Sequence, residues 1–203
     1  MVQLPAEKLE AGDGQNTIEI QFVNTYVTNS AGLHRFQDPE DKEIYLYTHL
    51  EPYNCNRWFP CFDQPSFNSI LKLKVITPLK SWKVFSNGDI AKTTPSSDEL
   101  AEFLQLKNFV VADHSKMTLF EFKDSPETCT YLYGLDAGNF SVIENDKKDF
   151  HVPIRIGIRK SKIKYLDARE FFRILEAAIL FYEGFFSHKF PFHKYDNICC
   201  PEF

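Results

Sequence analysis

The hydrophobic period of this chain changes once, near residue 160, and that change limits the folds open to it. Ahead of it short segments alternate. Ile18, Ile20 and Phe22 face away from Thr17, Glu19 and Gln21; Leu71, Leu73 and Val75 face away from Lys72 and Lys74; Pro153-Ile-Arg-Ile-Gly-Ile-Arg159 repeats the pattern. A period of two puts every second side chain on one face of a sheet, so each segment reads as a strand. Ile44-Tyr-Leu-Tyr-Thr48 and residues 104–111, 117–122, 130–133 and 140–143 read as further strands. Asn87-Gly88, following Val84-Phe85, is a strong hairpin signal. Beyond residue 160, Leu166, Phe171, Phe172, Leu175, Ala178, Ile179, Tyr182, Phe185 and Phe186 recur at steps of three and four. That spacing predicts one long amphipathic helix, opened by a capping-box-like Asp167 and Glu170 and barred from continuing by Pro191. The expected fold class is mainly β, an antiparallel sheet or sandwich followed by this helix and a short apolar piece over residues 195–200. The helix needs cover for a wide Phe face, from the sheet, a partner or a further domain, and its aromatic content favours the further domain.

Composition narrows the functional classes. A net charge of −5 and a pI near 5.7 imply no basic face for nucleic acid. The longest apolar window, residues 171–186, is interrupted by Arg173, Glu176 and Glu183, so no membrane span is expected. Residues 1–10 lack the charged and apolar regions of a signal peptide. Five cysteines, at 55, 61, 129, 199 and 200, are an odd number without zinc-knuckle spacing. Reduced thiols and a cytoplasmic location are the expectation.

Motifs for self-contained catalysis are missing. None of His34, His49, His114, His151, His188 and His193 begins a His-Glu-x-x-His, and His188 and His193 straddle Pro191. The sequence contains no Gly-x-Ser-x-Gly, P-loop or dinucleotide turn. Cys61 lies between Pro60 and Phe62 near Asp63, but no motif supplies a His base, so it reads as a packed structural thiol. Glu51 is the acid that stands out. It closes an apolar strand and precedes Pro52, which restricts its backbone. A carboxylate held there suits a substrate ammonium group; the bland alternative is a surface Glu, paired with Arg57.

Gly32-Leu-His-Arg-Phe36 with Asp38-Pro39, then Tyr45 through Phe59-Pro-Cys-Phe-Asp-Gln-Pro65, resembles the N-terminal domain of the zinc aminopeptidase N family, the gluzincins. Ser86-Asn-Gly88, Tyr131-Leu-Tyr133 with Gly138 and Phe140, Phe181-Tyr-Glu183, Phe190-Pro191, Lys194-Tyr-Asp196 and Pro201-Glu-Phe203 fit the family in the same order. The resemblance implies a saddle-like β domain over residues 1–159, without its first strands, and the start of a thermolysin-like catalytic domain over residues 160–203. The family's Gly-Ala-Met-Glu-Asn loop and zinc-binding helix would follow Phe203. It further implies that Thr48-His-Leu-Glu51 matches the family's Thr-Gln-x-Glu, making Glu51 the anchor of the substrate α-amine. His49 then stands where the family usually has Gln, beside the first side-chain pocket. Zinc is expected in the full-length family but not on this chain, which has no catalytic residue of its own and should be inactive alone. The implied partners are a peptide substrate and the remainder of the catalytic domain, contacted through residues 166–186. The competing reading is a non-catalytic β module that binds peptides or proteins.

Overall fold

A computed structural model describes residues 16–97, 100–102, 104, 115–146 and 149–201. Its four-stranded sheet is antiparallel, in the order β1 (Gly32–Gln37), β2 (Ile44–His49), β9 (Leu135–Gly138), β5 (Lys83–Ser86). Tyr45 and Tyr47 point to one face of β2 and Leu46 to the other, and all three are buried, so both faces of this strand are covered. A second antiparallel sheet, β4 (Lys74–Thr77), β7 (Thr118–Phe122), β6 (Ile90–Pro95), packs on the Leu46 side. Leu46, Trp82, Val84, Phe120, Phe122 and Leu135 form the shared core of this sandwich. A short ladder joins β3 (Asn68–Ser69) to β8 (Thr128–Cys129).

The third sheet contains β10 (Phe140–Glu144), β11 (Ile154–Arg159) and β12 (Tyr195–Cys199). β10 runs antiparallel to β11, whereas β12 runs parallel to it. A parallel neighbour requires a crossover, and helix α1 (Ala168–Phe186) provides it. Asp167 caps the helix by accepting a hydrogen bond from Glu170 N (3.0 Å), and Ser187 ends it in the left-handed region at φ 50°. The fold is thus mainly antiparallel β with one long helix, as the change of period implies.

The turn between β1 and β2 is tied to the third sheet. Asp38 is fully buried and accepts from Ser161 Oγ (2.6 Å), Arg159 Nη1 (2.9 Å) and Glu40 N (2.8 Å). Burial alone would raise its carboxyl, but these donors outweigh it and hold Asp38 below the usual carboxylate range.

Several local expectations change. Residues 16–22 form no strand: Ile18, Ile20 and Phe22 are exposed, because alternation makes a strand only beside a hydrogen-bonding neighbour, and none of the described strands pairs there. Asn87-Gly88 is not a hairpin tip, since β5 pairs with β9 and β6 with β7. Instead Asn87 clips a neighbouring loop: its side-chain oxygen accepts from Gly134 N (2.7 Å) and its Nδ2 donates to Leu132 O (2.8 Å). Gly88 is needed there because a Cβ would lie 2.2 Å from Lys123 O. Residues 130–132 form a 3-10 turn rather than a strand, with Tyr133 N donating to Thr130 O (3.1 Å) and the Thr130 hydroxyl turned to Asp63 (2.7 Å). The expected strand at 104–111, beyond Leu104, lies outside the described residues, as does His114. The helix does fold back on its own sheet: Phe172 and Ile179 are buried on Ile154, Ile156 and Ile158, because a crossover helix covers the parallel pair it connects. Its other side leaves Ile174, Leu180, Phe181, Tyr182, Phe185 and Phe186 exposed.

Candidate functional site

The chain leaves β2 through Thr48, whose hydroxyl accepts from Leu135 N (2.9 Å) and so fixes the strand end on β9. Leu50, 2% exposed, plugs a small apolar cluster with Cys55 and Tyr133. This buried plug forces the flanking residues outward. Glu51 is exposed, and its carbonyl accepts from Asn54 Nδ2 (2.7 Å) while Asn54 N donates to Leu50 O (2.7 Å). The two bonds close a turn that leads into a 3-10 turn at Cys55–Arg57. The Glu51 carboxylate forms no hydrogen bond or ion pair among the described residues, so the backbone is fixed and the acid is presented to solvent.

His49 lies at the same strand end but is engaged differently. It is half-buried, and its Nδ1 donates to Ser30 O (2.7 Å), an acceptor that fixes the proton on that nitrogen. His49 therefore bridges β2 to the turn before β1. The structure places both sequence-predicted residues at one end of β2, with buried Leu50 between them.

Arg57 does not pair with Glu51 or Asp63 among the described residues. Its carbonyl accepts from Asn24 Nδ2 (2.5 Å), and its Cβ lies 3.0 Å from where a Cβ on Gly32 would stand. Gly32, at φ 112°, leaves the space that lets Arg57 lie against β1. Asp63 accepts instead from Thr130 Oγ1 (2.7 Å), Asn56 Nδ2 (2.8 Å) and Asn56 N (3.1 Å).

The remaining histidines have separate environments. His34 stacks on Tyr47 with ring centres 4.8 Å apart and accepts from Ser30 N at Nδ1 (3.1 Å). His151 Nε2 lies 2.7 Å from Glu183, which also accepts from Phe190 N (2.8 Å) and Lys189 Nζ (3.0 Å). The Phe190 amide, then His151, draw the Glu183 carboxyl down to about 2. His188 and His193 are exposed on either side of Pro191. Among the described residues no two histidines converge with an acid, so these side chains do not fit the zinc of a gluzincin. The possible ligands that do converge are Cys55, Cys61 and Asp63, a grouping that sequence spacing did not reveal because an irregular loop separates them. Burial pushes both thiols up, which makes them poor nucleophiles at neutral pH.

No helix among the described residues is long and apolar enough to cross a membrane. Residues 1–132 match the family described as the Peptidase M1 N-terminal domain. Aminopeptidase N of Streptomyces lividans is 30% identical over 194 residues, covering 94% of this chain and 20% of that protein. Aminopeptidase 2, mitochondrial, of Saccharomyces cerevisiae is 27% identical over 205 residues, covering 98% of this chain and 19% of the relative. Aminopeptidase N of Oryctolagus cuniculus is 23% identical over 198 residues, 97% of this chain and 19% of the relative. The chain thus spans about a fifth of the length of the curated relatives it matches. A family match across more than half its residues, on a β-rich fold, means that this chain belongs to the M1 family of metallo-aminopeptidases, of which it carries the N-terminal domain.

Proposed function

We propose that this chain forms the wall of an aminopeptidase that receives the free amino end of a peptide, with Glu51 as the amine anchor. The observation that carries this reading is the Glu51 carboxylate, exposed and without a partner among the described residues, on a turn fixed by Asn54 and Leu50. A carboxylate so placed accepts charge-assisted hydrogen bonds from an ammonium group without first breaking an internal ion pair. His49, anchored on Ser30, borders the position of the first side chain. Hydrolysis belongs to the remainder of the enzyme, which supplies a zinc ion as Lewis acid and activator of water. The exposed side of α1, with Phe181, Phe185 and Phe186, is the surface that docks on that remainder. Residues 160–203 form the start of the catalytic domain in this reading. The compartment in this reading is the cytoplasm.

The test compares peptides with free and acetylated amino ends by calorimetry, using wild-type chain and Glu51→Gln. Preference for the free amine should fall by about tenfold or more in the variant, the loss of one charge-assisted bond. Equal binding of both peptides by wild-type protein would remove the anchor role. The chain alone should not cleave aminoacyl reporters; zinc-dependent cleavage by the purified 203-residue protein would overturn that division of labour.

A further inference from the structure

We propose that Cys55, Cys61 and Asp63 form a binding site for a thiophilic divalent cation of the zinc class, completed by a solvent ligand. One ligand atom from each residue lies within 4.8 Å of the other two. In a tetrahedral site with zinc–sulfur bonds of about 2.3 Å, two sulfurs stand about 3.8 Å apart, so the group needs to close by about an ångström at most. Cys55 is 0% exposed and anchored among Leu50 and Tyr133, which gives the site a rigid floor. Cys61 and Asp63 are half-buried, leaving a side from which a cation and a water ligand arrive.

The carboxylate is already oriented as metal ligands usually are. Thr130 Oγ1 donates to one oxygen (2.7 Å) and Asn56 donates to the other through Nδ2 (2.8 Å) and its backbone N (3.1 Å). Oδ1, which accepts only from Thr130, retains a lone pair for a metal, whereas Asn56 occupies both lone pairs of Oδ2. Burial first, and the Asp63 charge after it, make ionisation of either thiol harder, and no Lys or Arg is paired with Asp63 among the described residues. A dication reverses that balance, because three groups that repel one another as anions all face the same positive charge. On binding, each thiol releases its proton to solvent, two sulfur–metal bonds and one oxygen–metal bond form, and no electron is transferred. The cation would fasten the turn after Glu51 to the Cys61–Asp63 segment. The inference goes beyond the peptide-binding reading and stands whether or not Glu51 grips an amine.

The test is anaerobic titration of the reduced, metal-free 203-residue chain with cobalt(II), read by absorption. Equimolar binding with sulfur-to-cobalt charge-transfer bands and tetrahedral d–d bands, displaced by zinc, is expected. Cys61→Ser and Cys55→Ser should each remove the charge-transfer intensity of the paired thiolates, whereas a Cys199→Ser/Cys200→Ser double variant should retain it. Thr130→Val should keep the bands but weaken affinity by about tenfold or more. Circular dichroism confirms folding of each variant; half-buried Cys61 is the substitution the fold tolerates better. Folded wild-type protein without thiolate–cobalt bands, or bands that survive both Cys61→Ser and Cys55→Ser, would overturn the site.

Discussion

Asp136→Asn should make this protein more stable at neutral and alkaline pH. Asp136 sits on β9 opposite Tyr47 and Phe85 and shares a cleft with Lys194 and Asp196. Its carboxyl is pushed from 3.8 up to about 7, first by burial and then by the negative charge of Asp196. Lys194 pulls the other way but is already committed, its Nζ lying 2.6 Å from Asp196 Oδ2 and 2.7 Å from Ser86 O. Between those two pH values the folded chain holds a proton that the unfolded chain has released, so stability is full below the lower value and falls as pH rises through the upper one. At 1.36 kcal/mol per tenfold change in proton affinity, the cost of charging Asp136 reaches about 4 kcal/mol at most above neutrality. Asparagine keeps the shape and cannot ionise. In urea unfolding, the advantage of the variant should widen by roughly 3 kcal/mol from about pH 5 to about pH 8. A gap that stays constant with pH, or a variant less stable than wild type at high pH, would refute the reasoning.

Two further substitutions probe the framework of the site. Gly88→Ala forces a Cβ to within 2.2 Å of Lys123 O. The backbone there has to move, so urea unfolding should show a loss of about 2 kcal/mol or more; a neutral effect would show that the Asn87 loop relaxes freely. Asp38→Asn removes the charge paired with Arg159, whose side chain is only 14% exposed. Stranding that guanidinium should cost about 3 kcal/mol by the same measurement, and a loss below about 1 kcal/mol would mean that solvent already screens the pair.

The sequence was most legible where one periodic segment decides its own environment. Ile44 to Thr48 announced β2, Ile154 to Ile158 announced β11, and Asp167 marked the start of α1 because its cap is formed with a residue three positions away. It was least legible where a distant partner decides. Residues 16–22 alternate correctly yet belong to none of the described strands, and Asn87-Gly88 has hairpin chemistry but separates strands of different sheets. The inner side of α1 could be assigned only once β12 was known to lie parallel to β11. At the site, Pro52 marked Glu51 from sequence, whereas the approach of Cys55, Cys61 and Asp63 depends on Thr130, which lies 67 residues from Asp63.

The buried Asp38 contact has a mechanical consequence. One end of β2 begins just after the turn that Asp38 pins to Arg159 and Ser161; the other end carries Glu51. Six extended residues make a strut about 20 Å long, and its position between β1 and β9 keeps it from bending. The strut therefore ties the Glu51 turn at one end to β11 at the other through one continuous frame of hydrogen bonds.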